Sequence, residues 1–457
     1  MTEQKSTYAQ RDIGSYLHPY TNLSTHAEVG PLIITDGKGI YVSDEAGHEY
    51  IEGMAGLWCT SLGFGEQELV EAAIAQMRRL PTYHSFRSRS TLPGIDLAER
   101  LLAVAPVPMS KAFFANSGSE ANDTAVKLIW YYNAGLGRPE KRKMIGRHYG
   151  YHGVTIAATS LTGVPRNHTD FNVPLPGFVH TDMPHHYRHA RPGESEEDFA
   201  TRLAANLEAL ILAEGPQTVA AFFAEPVMGA GGVILPPRTY FEKVQAVLRR
   251  HDVLFVADEV ICGFGRTGNM WGTQTYKLHP DIVTCAKGLS SAYLPISAVM
   301  ISEQIYQGLV QQSRKHGVFA HGFTYTGHPV CSAVALKTLE IMQKRDIVGH
   351  VRQVAPALQG AVQALGQHPL VGHARGIGLI AALELMADKG ARKAFPPENK
   401  VGEYCMDRAQ AHGLLIRSIG DTIAICPPLI ITAEQIGTMM ERLSAALDDT
   451  LAWVRKG

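Results

Sequence analysis

The segment HDVLFVADEVICGFGRTGNMWGTQTYKLHPDIVTCAKGLSS, His251 to Ser291, contains two short apolar runs, Val253 to Ala257 and Ile282 to Ala286. Both are of strand length and bounded by turn residues, as strands buried inside a parallel sheet are. The first run delivers Asp258 and the second Lys287. Ligands of open α/β sheets sit in the crevice beyond the carboxyl ends of the strands, so an acid and an amine are delivered where chemistry occurs. Two residues are a thin basis, because most lysines are solvated and a strand-end Asp often only caps a turn. The pair gains meaning if a phosphate site and a flat stacking group lie elsewhere in the chain.

Upstream, KAFFANSGSEANDTAVKLIWYYNA (Lys111 to Ala134) reads as strand, small-residue turn and helix, with Ala121, Ala125, Leu128, Ile129 and Tyr132 on one helical face. Ser117 and Glu120 fit a capping box. The same Ser117-Gly118-Ser119 turn also fits an anion cradle, since a helix start offers free N–H groups and a positive dipole end. Next comes GRHYGYHG (Gly146 to Gly153), where rings alternate with glycines, so Tyr151 is a candidate to stack on a heterocycle. A third apolar run, Val219 to Ala224, ends on Glu225, which either touches a ligand or supports Asp258 or a nearby loop. Lysine, carboxylate, phosphate turn and stacking ring together suit pyridoxal phosphate, whose aldehyde condenses with a lysine amine while a carboxylate pairs with its ring nitrogen.

The whole chain sets bounds. Its 457 residues suffice for two or three domains, and 42 Lys+Arg against 43 Asp+Glu give a net charge of -1, which offers no field for nucleic acid or an anionic membrane. No apolar run approaches a membrane span and the polar start MTEQKSTYAQRD does not read as a secretion signal, so a cytoplasmic protein with small-molecule partners is expected. Six scattered cysteines without a CxxC pair indicate neither disulfides nor zinc. His180, His185, His186 and His189 crowd one Pro- and Gly-flanked stretch without a carboxylate at ligand spacing, which favours a solvated loop over a metal site.

Taken in order, Gly39 to Gly56 alternates like an antiparallel hairpin, Glu66 to Leu80 has helical spacing stopped by Pro81, and a second helix lies near Asp96 to Val104. The end of the chain has strand and helix signals of its own. The expected architecture is α/β: a large domain (58–328) on a mixed, mostly parallel sheet, and a smaller α+β domain (329–457) joined by the N-terminal segment (1–57).

The motifs GMAGLWC, FFANSGSEAND, HYGYHG, AEPVMGAGG, DEVICGFGRTG, AKGLSS, HGFTYTGHP and RSIGDTIAICPPL, in this order from about Asp12 to the end, carry a family likeness. The chain resembles the class III (subgroup II) pyridoxal-phosphate aminotransferases of fold type I, and among them the ω-amine:pyruvate type. The resemblance implies that Lys287 holds the cofactor covalently, Asp258 pairs with its ring nitrogen, and Tyr151 and Val260 cover its two faces. It places Ser117, Gly118, Ser119 and His152 around the cofactor and has Glu225 support Asp258. Thr324, with Phe323 beside it, would complete the phosphate site of a neighbouring subunit, implying an obligate homodimer or a tetramer built from it. Trp58, Phe86 and Tyr151 would wall the substrate pocket, and Arg417 would take a substrate carboxylate. Departures are mild: Thr326 stands where relatives often carry Ser, Ala292 where they often carry Gly, and Cys426 at a variable position.

The implied reaction moves an amino group from a primary amine or ω-amino acid to pyruvate in two half-reactions, through pyridoxamine phosphate. Spacing alone would instead give Arg417 an ion pair with Asp421, and Trp58 a place in the core. Two rival readings use the same fold: other chemistry on the same cofactor, as in dialkylglycine decarboxylase or an aminomutase, and a non-catalytic binding protein. Against the second stand the missing DNA-binding module and the full set of reactive residues.

Overall fold

The structure, a computed structural model, describes residues 7–456. Its strands are β1 (Ile34–Lys38), β2 (Tyr41–Asp44), β3 (Glu49–Glu52), β4 (Lys111–Ala115), β5 (Lys143–Arg147), β6 (Phe178–Thr181), β7 (Val219–Ala224), β8 (Leu254–Asp258), β9 (Ile282–Cys285), β10 (Ser297–Ile301), β11 (Val371–Ile377), β12 (Ile380–Leu385), β13 (Leu414–Leu415), β14 (Arg417–Ile419) and β15 (Thr422–Ile425). The central sheet runs β4-β10-β9-β8-β7-β5-β6. From β9 to β6 every neighbour is parallel, and β10 is antiparallel to both β9 and β4. This is the mixed, mostly parallel sheet expected. β7, β8 and β9 lie in its middle and are buried along their whole length, which is why their sequences are continuous apolar runs. β4, expected to be buried, is an edge strand whose last two residues alone are buried.

The helical readings hold with small shifts. The first helix is Gln67–Arg79, and the next starts earlier than expected, at Leu92, with Pro93 in its first turn. Gly118–Gly135 buries the predicted face against β10, β9 and β7. The capping box at its start is half formed. Ser117 Oγ accepts from Glu120 N, but the Glu120 carboxylate accepts from Asn116 N at 2.7 Å, outside the cap residue.

Two smaller sheets complete the fold. The hairpin of β2 and β3 was legible, while β1 was not, because ITDGK has neither alternation nor strand propensity. β3 also pairs in parallel with β13, so the N-terminal and C-terminal parts share one sheet. The third sheet runs β11-β12-β15-β14 and packs under the helices Ile347–Leu365 and Val401–Ala411, which the helix Ala433–Val454 covers in turn. Among the described residues no helix is long and apolar enough to cross a membrane.

Within that third sheet Glu384 on β12 is fully buried and receives Arg375 at 2.5 Å, His185 at 3.2 Å and Arg188. Burial would push this carboxyl up, but the His185 hydrogen bond and the two guanidinium groups hold it well below the ordinary carboxylate range. Replacing Arg375 by Ala removes one of the carboxylate's two guanidinium partners and should cost about 3 kcal/mol in denaturant unfolding, with part of the loss recovered in Arg375→Ala/Glu384→Ala.

Candidate active site

β8 and β9 run side by side with Asp258 opposite Thr284, so Asp258 and Lys287 emerge from the same end of the sheet. The Asp258 carboxylate is buried. One oxygen accepts from Asn122 Nδ2 at 2.8 Å and His152 Nδ1 at 2.7 Å, and the other from Val260 N at 3.1 Å. Asn122 also donates to the His152 carbonyl at 2.7 Å and accepts from Thr284 Oγ1 at 3.0 Å, so its amide is satisfied on both sides. Sequence reading missed Asn122. The available signal was a polar, weakly helix-forming residue one turn into an otherwise apolar helix face. His152, expected at the cofactor, spends its Nδ1 on Asp258 instead, while its Nε2 is buried without a partner.

Glu225 takes one of the places that the sequence left open to it, the support of a nearby loop. Its carboxylate accepts from Tyr151 N at 3.1 Å and Gly229 N at 3.0 Å, and it makes no hydrogen bond to Asp258. It ties the aromatic loop to the turn after β7, one of the loop-supporting roles open to it from sequence, and burial raises its carboxyl above the usual range.

Lys287 begins a short 3-10 turn with φ of 45°, a left-handed conformation that L-residues rarely adopt. It is half-buried, and among the described residues no hydrogen bond or ion pair holds its amine. Burial lowers its pKa below the ordinary lysine range, opposed by Cys59, Asp258 and Glu225 nearby. Cys59 was not anticipated. Across the crevice, the amides of Gly118 and Ser119 precede the first helical bond, Ala121 N to Ser117 O. A Cβ on Gly118 would sit 3.1 Å from both Val260 methyl groups, and one on Gly153 (φ 133°) would fall 2.7 Å from Ser119 Cα, so glycine keeps this turn open at both points. Ser117 Oγ is committed to its cap, and Ser119 Oγ accepts from Val154 N at 3.1 Å.

Tyr151 is half-buried, and its phenol is pushed well above the usual range by burial and by Tyr20, whose hydroxyl lies beside it. Tyr20 in turn accepts from Asn167 Nδ2 at 2.8 Å. Arg417 faces the same mouth. Burial and the nearby Arg166 lower its pKa, and the two tyrosines oppose them. No carboxylate pairs with Arg417 among the described residues, and Asp421 accepts from Gly402 N, so the ion pair suggested by spacing is absent. Tyr20 and Arg166 lie far from every site motif in sequence, which is why they escaped notice.

Trp58 is 3% exposed and packs with Met54, Val227, Val233 and Ile261. Phe86 is not gathered with it. Its ring lies against Gly322, beside an open cavity of about 900 Å³ that Phe113, Phe319 and Thr326 also line. Thr324 is exposed on that same loop. The histidine stretch is not the solvated loop expected: His185 is buried on Glu384, and His180 ends up in β6 with burial holding it neutral, at about 4. His185, His373 and Glu384 converge at metal-ligand spacing, but the Arg375 guanidinium already bridges His373 Nδ1 at 3.0 Å and Glu384, filling the cation position.

An unpaired, deprotonation-prone amine, a buried carboxylate oriented by an asparagine amide, an imidazole and a backbone N–H, and a glycine-lined helix start fit pyridoxal phosphate, the last for its phosphate group. They define a fold type I pyridoxal-phosphate enzyme. The comparisons agree and go further. The class-III aminotransferase family profile matches residues 23–447. An ω-transaminase of Pseudomonas jessenii solved with pyridoxamine phosphate is 54% identical, with TM-score 0.97, covering 99% of this chain and 100% of that one. A chloroplastic γ-aminobutyrate transaminase of Solanum lycopersicum is 50% identical over 98% of this chain and 88% of its own length, and a mitochondrial one of Oryza sativa subsp. japonica is 51% identical over 95% and 84%. The chain belongs to the class III aminotransferases, and it is a pyridoxal-phosphate-dependent transaminase.

Lys287→Ala should abolish the visible absorbance of covalently held cofactor and lower turnover by at least about 10²-fold. Asp258→Asn should retain cofactor, read by absorbance and by phosphate analysis after denaturation, while losing turnover to a similar extent.

Proposed function

We propose that the chain transfers an amino group from a primary amine or ω-amino acid to pyruvate, with Lys287 and Asp258 as catalytic residues, and that it does so in the cytoplasm as a homodimer. When bound, pyridoxal phosphate supplies an electron sink for the carbon that carries the amine. This chain's residues do the rest. Asp258 would pair with the ring nitrogen of the bound cofactor, and Asn122 and His152 fix the carboxylate in place. Lys287, its pKa lowered by burial, would serve as the base that takes the proton from the substrate carbon and then as the acid that gives it back. Gly118 and Ser119 hold the phosphate, and Tyr151 and Val260 hold the ring from its two sides.

The observation that carries the choice of substrates is the unpaired Arg417 guanidinium beside Tyr151. A half-buried cation with no internal carboxylate is suited to an external one, held by two parallel hydrogen bonds. A donor lacking a carboxylate would use the apolar side near Trp58. In support, a 53% identical structure (TM-score 0.97) is a thermostable ω-transaminase variant, W58M/F86L/R417L, engineered for asymmetric synthesis of bulky amines, and all three parent residue types stand at the same numbers here. A 55% identical transaminase (TM-score 0.91) was solved with L-alanine, the product that pyruvate would give.

The homodimer reading rests on Phe86 and the loop around Phe323 and Thr324. They lie together beside the large cavity, so one surface would deliver both to a second copy, Thr324 to its phosphate site and Phe86 to its pocket. The β3–β13 pairing supports counting residues 1–57 with the smaller domain, and 58–328 as the cofactor domain. The six cysteines are all unpaired thiols, which suits a reducing compartment. The curated relatives are named as chloroplastic and mitochondrial, so targeting differs within the family.

Arg417→Ala should raise KM for pyruvate by about 10–100-fold, the loss of a charge-assisted pair, while changing KM for an arylalkylamine less than about threefold. Half-reactions with amine alone, followed by bleaching of the visible absorbance, separate the two substrates. Equal effects on both would remove the role, and carbon dioxide release or a rearranged amine would favour the decarboxylase or aminomutase reading.

A further inference from the structure

Glu52, the last residue of β3, is a buried carboxyl that neither the cofactor site nor any ion pair explains. It is 9% exposed, and no Lys, Arg or His pairs with it among the described residues. Its Oε1 accepts from Met54 N at 2.9 Å, and Gly56 N also donates to the carboxylate. Burying a carboxylate without a cation is costly, and the group responds with a pKa raised to about 7, the two backbone donors opposing burial.

What those donors belong to is unusual. Ala55 (φ 48°), Gly56 (φ 64°) and Trp58 (φ 63°) are all left-handed, so three of four consecutive residues are in a region that only glycine enters freely. Such a run persists only where its surroundings over-determine it. Gly56 and Leu57 are exposed at the tip, and the chain then turns back to bury Trp58 and bring Cys59 toward Lys287. Gly53 is fixed on both sides, its N–H to Leu415 O at 2.8 Å and its carbonyl to Cys426 N at 2.7 Å, so the loop hinges at residue 54. Glu52 holds the first free N–H beyond that hinge.

We infer that Glu52 is a positioning residue for the substrate pocket: its carboxylate holds the strained Met54–Trp58 loop in the one conformation that presents Trp58 to an amine donor. The inference rests on the reading of Trp58 as a pocket wall and adds what sets that wall. Both carboxylate oxygens are free to accept only in the ionised form. As pH falls through about 7 the acid gains a proton and one acceptor becomes a donor, so the loop loosens on the acid side. The groups that face Glu52 are few. Cys426, lying among Arg266, Lys287 and Cys59, is raised to about 11 and stays protonated across this range. On β2, Tyr41 lies opposite Ile51 beside Glu52, whereas Asp44 sits at the far, turn end of the hairpin with Tyr50 and His48, and β13 places Leu415 opposite Glu52.

The test uses the holoenzyme and three variants. Glu52→Ala should raise KM for an arylalkylamine about tenfold, the worth of one hydrogen bond to a charged group, leaving KM for pyruvate and the visible cofactor absorbance as in the parent. Glu52→Gln keeps an acceptor but cannot titrate. Its donor KM should be flat between pH 6 and 8, where that of the parent rises toward acid. Proportional changes in both KM values, or superimposable pH profiles for the parent and Glu52→Gln, would overturn the inference. Trp58→Ala separates the two readings: an effect on donor KM there with none in either Glu52 variant sinks this role alone, whereas no effect of Trp58→Ala sinks the pocket reading and this role with it.

Discussion

The site depends on holding one carboxylate in a fixed orientation in a place where water cannot reach it. Asp258 is placed at the end of a central strand with no lysine or arginine against it, held instead by an asparagine amide, an imidazole N–H and a backbone N–H. A lysine or arginine against it would compete with a ligand's protonated nitrogen. These donors orient the group instead and leave that place to a ligand. Because Asn122 sits on the helix that follows the phosphate turn, His152 on the aromatic loop and Thr284 on β9, the same few bonds fix four elements relative to one another. The adjacent acid goes the other way: Glu259 is also buried, but it accepts from Gly272 N and Thr273 N and closes the turn after Trp271.

A second set of bonds links the smaller sheet to this edge. Arg375 on β11 answers the buried Glu384, and its other nitrogens donate to Gly232 O at 2.6 Å and Val233 O at 3.0 Å. Those carbonyls belong to the turn whose start Glu225 holds through Gly229 N. The turn after β7 is therefore gripped from both sides, by an acid on the large sheet and a guanidinium on the small one, and Tyr151 N is held by the same acid. The placement of Tyr151 thus depends on how the two sheets meet.

What could be read from the sequence follows the physics of each feature. β7, β8 and β9 were legible because strands buried on both faces must be apolar throughout, and Asp258 and Lys287 because a charge directly after such a run has one place to go. The helix faces were legible from periodicity. Side chains acting on other side chains were not: Asn122, Tyr20 and Arg166 reach the site through loops and helix turns whose meeting depends on tertiary packing. The histidine stretch misled for the same reason, since Glu384, which buries His185, is 199 residues away. Local composition described a loop, and a distant carboxylate made it core. Likewise Arg417 and Asp421, close in sequence, do not meet: Asp421, at the turn between β14 and β15, accepts from Gly402 N instead.

The turn that carries Lys287 shows where the fold accepts strain. Lys287, Ser291 and Ala292 all have positive φ, and none is glycine. Each such residue costs about 1 kcal/mol or more, so neighbouring structure must hold it. That structure is the segment after the Trp58 loop. Leu62 N donates to Ser291 Oγ at 2.9 Å, Ser61 Oγ lies against Gly288 where a Cβ would crowd it, and Tyr293 OH bridges Glu66 N and Gly63 O. At position 292, where resembling sequences often have Gly, the left-handed φ of 59° supplies the reason glycine would suit it. Residues 52 to 66 therefore serve both ends of the site: they shape the wall where an amine would rest, and they brace the backbone from which Lys287 projects.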